Sequence, residues 1–275
     1  MKVVNPMENY RIIDSHCHIY PDAIVSKAVE AIEGFYDYRY KGFDGKTETM
    51  ISNGDKAGVK HYIVFSVATT PHQVHSINSF IAESVHSSGG VFTGLGTLHP
   101  YSDNLKSDFE ELLSLGLKGV KLHPDFQKIA IDDPKCEEIY RLCSGRIPVL
   151  LHTGDYRYDY SNPVRMKRML DKYPECTFIG AHFGGWSVWD EAAKALSGYP
   201  NFYVDTSSSF SDISIEKAKE LIELYGADRV LFGTDYPLGD VQKEVAKLKE
   251  SVSDEALLKK ILCDNAIKIF HIKIF

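Results

Sequence analysis

The segment Ile13–Asp22 reads IDSHCHIYPD, an apolar strand start followed by two histidines separated by one residue. Side chains along a strand alternate between its two faces, so His16 and His18 point the same way. Two imidazoles on one rigid face suit a single divalent transition metal. An HxH pair alone is a weak signal, and its interpretation depends on the segments that follow.

Seven further apolar runs predict strands. With Arg11–Ile19 they make eight, the others being His61–Val67, Val91–Leu98, Gly119–His123, Pro148–His152, Thr177–His182, Asn201–Thr206 and Val230–Asp235. The stretches between most of them predict helices, often preceded by Asp or Ser and followed by Gly, as at Gly116 and Gly226. Strands that alternate with helices form parallel sheets, and eight such units predict an α/β fold closed into a (β/α)8 TIM barrel.

No low-complexity segment or Gly/Ser linker interrupts the chain, so residues 1–275 are expected to form a single domain. The first βα connection, at about 21–60, is extended: it contains a helical stretch and then an aromatic and basic loop, Arg39–Lys46. The loop Asp155–Asn162 carries three tyrosines and an arginine. Long connections in compact domains often close over binding sites, although a surface excursion is the simpler alternative.

Composition narrows the classes of partner. A net charge of -7 argues against nucleic acid, which usually meets a basic face. No apolar run approaches the length of about 18 residues that suggests a membrane span, and the first residues lack the apolar core of a secretory signal. The five cysteines are scattered and odd in number, as in a reducing compartment. We expect a cytoplasmic protein that acts on a small molecule, with homo-oligomerisation left open.

Polar residues end several predicted strands. Besides the HxH pair these are His123, His152, His182 and Asp235. All strands of a parallel barrel end on one face, which holds the active site, so these residues should meet there. Alternation along the strands also directs Leu150, Leu231 and Lys121 inward, and Ile13, Cys17 and Ile19 outward toward the helices.

Six segments, in this order and spacing, carry a family resemblance. They are IDSHCHIYPD (Ile13–Asp22), GVKLHP (Gly119–Pro124), VLLHTGD (Val149–Asp155), IGAHFGG (Ile179–Gly185), LFGTDYP (Leu231–Pro237) and CDNAIKIF (Cys263–Phe270). From Ile12 to Phe270 the chain resembles the amidohydrolase superfamily. It is most similar to the branch that contains amidohydrolase-related hydrolases and aminocarboxymuconate-semialdehyde decarboxylase.

The resemblance implies a ligand set and catalytic roles. His16, His18, His152 and Asp235 would bind the metal, and Asp235 and His182 would be catalytic, His182 as a hydrogen-bond partner of substrate or metal-bound water. Members with two metals need a bridging Glu or carboxylated Lys, and strand four offers only Lys121. A carbamate there is the alternative to a lysine paired with a buried carboxylate. We therefore expect one divalent ion, zinc.

Two activities fit this site. The first is hydrolysis of an amide, lactone or ester bond by metal-activated water; the alternative is decarboxylation of a small aromatic or unsaturated carboxylic acid. A barrel that keeps its metal only for structure or binding is a third interpretation. The predicted substrate contacts are His123, Arg157, Tyr156 and Trp186, and a decarboxylase would gain further carboxylate anchors from Arg39 and Lys41.

Overall fold

The computed structural model describes residues 11–36 and 44–273. Arg39, Lys41 and most of the predicted loop Arg39–Lys46 lie outside the described residues. The strands are β1 (Ile12–His18), β2 (Val59–Phe65), β3 (Phe92–Gly94), β4 (Gly96–Thr97), β5 (Val120–Leu122), β6 (Val149–Leu151), β7 (Phe178–Gly180), β8 (Phe202–Asp205) and β9 (Val230–Leu231). All pair in parallel, in the orders β1-β2-β3 and β4-β5-β6-β7-β8-β9.

Hydrogen bonds at two places join these sheets into a ring. Leu95 separates β3 from β4, and its N–H donates to the Val64 carbonyl at 2.9 Å, so β3 and β4 form one interrupted strand of the barrel. On the other side, Cys17 pairs in parallel with Tyr236, just beyond β9. The predicted eight-stranded TIM barrel is therefore confirmed, with β3 and β4 together as its third strand.

Helices fill the connections between the strands. They are α1 (Val25–Tyr36), α2 (Thr47–Ala57), α3 (Val74–Ser87), α4 (Leu105–Ser114), α5 (Pro124–Gln127), α6 (Pro134–Cys143), α7 (Pro163–Lys172), α8 (Trp189–Leu196), α9 (Ile215–Tyr225), α10 (Val241–Ser251), α11 (Glu255–Lys259) and α12 (Asn265–Phe270). Asp133 and Asn162 cap α6 and α7, each before a proline suited to a first turn. Both α1 and α2 lie between β1 and β2. In the part of the chain that the structure describes, no helix has the length and apolarity needed to cross a bilayer.

Two apolar clusters hold the barrel together. The larger packs the outer faces of the strands against the helices. The smaller fills the barrel interior, where Leu150 and Leu231 meet Phe270 of α12. Because Leu150 and Leu231 precede His152 and Asp235 along the chain, this inner cluster lies beneath the polar strand ends and supports them.

The predicted outward orientation of Ile13 is wrong. Ile13 belongs to the inner cluster, whereas Cys17 and Ile19 face the helices as predicted. The cause is a β-bulge in β1: Asp14 pairs with Tyr62 and Cys17 with Val64, so three steps on β1 match two on β2. The extra residue shifts the alternation, and an odd spacing then places Ile13 and His16 on the same side.

Candidate metal centre and active site

The strand ends bring the predicted metal ligands together. Donor atoms of His16, His182 and Asp235, all buried, lie within 4.8 Å of one another. His18 Nε2 lies 3.4 Å from Asp235 Oδ1, and His152 Nδ1 lies 3.0 Å from His182 Nε2. The five predicted residues therefore form one cluster at the mouth, and the division into ligands and catalytic partner stays a prediction.

The protonation of this cluster fits a metal ion. Burial lowers the pKa of His16 to about 4, helped by the charge of Lys121. Burial also lowers the pKa of His18 and His152. Asp235 stays ionised because, although burial acts in the opposite direction, His16 and a hydrogen bond from His18 lower its pKa. Neutral imidazoles and a carboxylate are the forms that bind metals.

Two buried ring nitrogens, His18 Nδ1 and His152 Nε2, have no hydrogen-bond partner among the described residues. Neither is the nitrogen by which its ring faces the cluster, and His152 Nε2 lies 3.7 Å from Asp125 Oδ2. The fit to a metal therefore rests on the types of donor that the cluster offers. Imidazole nitrogens and a carboxylate oxygen are the donors that zinc and related transition metals prefer.

Asp205, at the end of β8, is the functional residue that sequence reasoning missed. Its Oδ2 lies 2.7 Å from His16 Nδ1, and its Oδ1 accepts the backbone N–H groups of His182 at 3.0 Å and Ser207 at 3.1 Å. A carboxylate on Nδ1 fixes the proton there and leaves Nε2 free to bind a cation. A signal existed, because Asn201–Thr206 was a predicted strand with an acidic residue near its end.

Lys121 places a buried amine beside the cluster. Its Nζ lies 3.3 Å from His16 Nε2, and the residue is 1% exposed. Burial lowers the pKa of Lys121 to about 8, against the opposing charges of Asp205 and Asp235. The charges of Asp205 and Asp235 act on Lys121, but its contact at 3.3 Å is with an imidazole, and the predicted pairing with a carboxylate is not seen among the described residues.

His123 forms one wall of the mouth. Its ring is stacked between Phe126 at 3.7 Å and His152 at 4.0 Å, with interplanar angles of 7°. Its Nδ1 accepts the backbone N–H of Phe126, and its Nε2 lies 3.2 Å from the hydroxyl of Tyr36 at the end of α1. The residue predicted to contact substrate thus lies beside the cluster with its ring already oriented.

Arg157, a predicted substrate contact, is engaged within the protein. Its guanidinium donates to both oxygens of Asp155, at 2.9 and 2.7 Å, and to the carbonyl of Phe35 at 2.8 Å. It therefore ties the end of α1 to the tyrosine-rich loop. The carboxylate of Asp155 also lies near donor atoms of His152 and Asp125, in a second cluster of metal-binding residue types, but Arg157 occupies both its oxygens.

The other two predicted contacts differ in position. Tyr156 is 74% exposed and therefore points toward solvent. The ring of Trp186 packs edge-on against Tyr36 at 5.3 Å, which places it at the rim of the mouth. Trp189 donates from its indole to the His182 carbonyl at 3.1 Å and packs against the outer core, as expected for a helix residue.

A groove opens beside the metal-binding cluster. It has a volume of about 470 Å³ and runs between α1 and α3, whereas the space among the residues of the cluster is only about 20 Å³. His18, Ile32 and Phe126 line both spaces, so the groove leads directly to the cluster. A substrate can therefore reach the cluster from this side.

Comparison with known proteins supplies the family. A family model described as Amidohydrolase matches residues 13–272. This chain belongs to the amidohydrolase family. It is an enzyme of the amidohydrolase superfamily, as the resemblance predicted. Over 123 residues it is 30% identical to a gamma-resorcylate decarboxylase of Polaromonas sp. (strain JS666 / ATCC BAA-500), an alignment that covers 38% of this chain and 37% of that protein.

Solved structures show the same fold across nearly the whole length of this amidohydrolase. An uncharacterised TIM-barrel protein of Bordetella bronchiseptica has a TM-score of 0.79 at 19% identity, over 95% of this chain and 98% of that one. A 5-carboxyvanillate decarboxylase of Sphingomonas paucimobilis has a TM-score of 0.71 at 18% identity, covering 96% and 99%. A dihydroxybenzoic acid decarboxylase of Polaromonas sp. JS666, with bound manganese and the inhibitor 2-nitroresorcinol, has a TM-score of 0.69 at 18% identity, covering 95% and 97%.

Proposed function

We propose that this protein is a metal-dependent decarboxylase of a small hydroxylated aromatic carboxylic acid. The observation that carries the proposal is a buried cluster of metal-binding residue types, with the amine of Lys121 beside it, that opens into an apolar groove. A carboxylate loses its charge on becoming carbon dioxide, and apolar surroundings favour that change. The names of the similar proteins support decarboxylation over the hydrolysis that we placed first from the sequence.

Each residue of the cluster has a role in the proposed reaction. His16, His18, His152 and Asp235 would hold the metal ion, which supplies positive charge that orients substrate oxygens and offsets negative charge developing on the ring. The buried amine of Lys121 adds positive charge beside them. The carbon–carbon bond to the carboxylate breaks, its electron pair stays on the ring carbon, and carbon dioxide leaves.

A proton must then reach that ring carbon. Asp235 is ionised at rest, so it can accept a proton, and in this proposal the phenolic hydroxyl of the substrate supplies it. It then delivers this proton to the ring carbon, and solvent returns a proton to the phenolate on release. His182, whose Nδ1 lies 2.9 Å from both the backbone carbonyl and the hydroxyl of Ser207, is held in place to hydrogen-bond the substrate.

The metal is part of the proposal. We proposed zinc from the donor types, whereas the similar dihydroxybenzoic acid decarboxylase was solved with manganese. Imidazole and carboxylate donors suit both ions to different degrees, and availability decides between them in a cell. Metal analysis of the purified protein, followed by reconstitution with Zn²⁺ or Mn²⁺, would identify the active form.

The experiment measures carbon dioxide. The purified protein, loaded with Mn²⁺ or Zn²⁺, would be incubated with 2,6-dihydroxybenzoate and 5-carboxyvanillate, and carbon dioxide and the decarboxylated phenol would be quantified. Asp235→Asn should abolish release, whereas Asp212→Asn, an exposed acid in a nearby loop, should leave it unchanged. Cleavage of lactones or aryl esters without carbon dioxide from either acid would refute the proposal and favour the hydrolase.

A further inference from the structure

The groove between α1 and α3 is larger than a simple ring needs. Its volume is about 470 Å³. A cavity of about 150 Å³ suffices to hold benzene, and drug-sized ligands occupy about 300–1,000 Å³. The space among the metal ligands, about 20 Å³, is too small for a ring, so the ring itself must lie at the inner end of the groove. Most of the groove then remains beyond the ring.

The walls of this remaining space are apolar. Helix α1 contributes Ala28, Ile32 and Phe35, the turn before it contributes Ile24, and α3 contributes Ile77 and Phe80. Apart from His18, Asp125 and Lys128, the described residues that line the groove carry no charge.

The two walls are held in different ways. Ile77 and Phe80 are packed against the main core, so the α3 wall is fixed by the barrel. Helix α1 is tied at its end by Arg157, which donates to the Phe35 carbonyl. Ile24, in the turn before α1, is a large apolar side chain that is 48% exposed at the rim. The groove is thus a supported apolar surface that continues outward from the cluster.

We infer that the groove is a substrate subsite for an apolar substituent, an alkyl chain or a second ring, carried by the aromatic acid. The inference rests on the proposed function, because that function puts a carboxylate at the cluster and so directs the rest of the molecule along the groove. It assigns specificity for substituted acids to α1 and α3, and not to the strand ends.

The test compares binding of three compounds to the Mn²⁺-loaded protein by isothermal titration calorimetry. They are 2-nitroresorcinol, the inhibitor bound in the similar dihydroxybenzoic acid decarboxylase, and its 4-hexyl and 5-hexyl derivatives, none of which carries a carboxylate that can be released. Each buried methylene tightens binding about fourfold, so a chain with half of its carbons buried should bind about 60-fold more tightly than the parent compound. At least one of the two hexyl isomers should show this gain.

Three tryptophan variants test whether the gain in affinity from the hexyl chain comes from the groove. Ala28→Trp fills the groove from α1, and Ser76→Trp narrows it from the exposed edge of α3. Both should reduce the hexyl advantage, which is the ratio of the parent Kd to the hexyl Kd in the same variant, to about fivefold or less, equivalent to roughly one buried methylene. Ser26→Trp adds the same bulk on the exposed side of α1, outside the groove, and should keep the full advantage.

The outcomes separate this subsite from the proposed reaction. Equal affinity of the parent and both hexyl compounds, or an advantage that survives both groove variants, would overturn the subsite even if carbon dioxide is released. A hexyl advantage that is present in the wild type and lost in both groove variants would support the subsite even if no carbon dioxide appears. Calorimetry thus decides the subsite, and the carbon dioxide assay decides the reaction.

Discussion

Asp205→Asn tests whether the carboxylate behind His16 prepares it to bind metal. Asp205 Oδ1 accepts two backbone N–H groups and the hydroxyl of Ser207, while Oδ2 faces His16 Nδ1 at 2.7 Å. An asparagine amide would keep its oxygen toward the three donors, which turns its NH2 group toward His16. The imidazole would then accept at Nδ1 and carry its proton on Nε2, the nitrogen that must bind the metal.

The expected loss of metal affinity follows from this change of tautomer. Loss of a carboxylate partner of a ligating histidine lowers metal affinity about 10–100-fold, which corresponds to about 1.4–2.8 kcal/mol. The measurement is a titration of Mn²⁺ and Zn²⁺ against a chromophoric chelator, for wild type and variant. Asp212→Asn, which removes an exposed carboxylate from the loop after the same strand, is the matched control and should keep the wild-type Kd.

One result would refute this reasoning. If Asp205→Asn folds as the wild type does, by circular dichroism and thermal unfolding, and binds both metals within about twofold of it, the carboxylate does not prepare His16. If Asp205→Asn does not fold, Asp205→Glu replaces it as the test, because glutamate keeps the negative charge. Recovery of metal affinity in Asp205→Glu would support the proposal that the carboxylate prepares His16. The affinity of the control must stay unchanged in either case.

Three further changes test other parts of the structure. His152→Ala should remove bound metal and activity while the barrel stays folded, and full metal content by atomic absorption would show that His152 is not a ligand. Burial raises the pKa of Glu244 from 4.5 to about 8, so the wild-type protein loses stability as the pH rises between these values. In urea unfolding, the free energy of unfolding of Glu244→Gln should exceed that of the wild type by about 3 kcal/mol at pH 7 and nearly equal it at pH 4.5. A difference that does not change with pH would contradict this prediction. Arg157→Lys should speed amide hydrogen exchange in Val25–Tyr36 about tenfold, because the hydrogen bonds to Asp155 and to the Phe35 carbonyl are lost. Arg168→Lys, at an exposed position, is the control and should leave the exchange unchanged. Unchanged exchange in Arg157→Lys, together with weaker binding of 2,6-dihydroxybenzoate, would instead indicate that Arg157 contacts the substrate.

The barrel and the cluster could be predicted because both depend on patterns local in sequence. Several strand ends carry a polar residue beside apolar ones, and parallel topology alone gathers His152 and Asp235 at one mouth. The bulge in β1 could not be predicted in this way, because it appears only when Asp14 and Cys17 are matched to β2. The inward position of Ile13 follows from that pairing.

Contacts between distant segments were harder to foresee. Asp205 and His16 are 189 residues apart, and the local sequence around either residue does not predict the hydrogen bond between them. Arg157 was expected to reach a substrate because an arginine in a tyrosine-rich loop suggests an anchor. Its bonds to Asp155 and to the Phe35 carbonyl depend instead on where α1 ends, which sequence periodicity fixes only to within a few residues.

The metal-binding cluster and the groove belong to different parts of the barrel, and this separation has a consequence for specificity. The donor atoms stand on strand ends supported from below by the inner apolar cluster, whereas α1 and α3, which lie outside the strands, form two walls of the groove, and His18 lines both spaces. A substitution on the groove face of α1 therefore changes the space beside the ring without moving His16 or Asp235. Differences in substrate within the family should accordingly follow differences in the connection between β1 and β2, the part of this chain that builds the α1 wall.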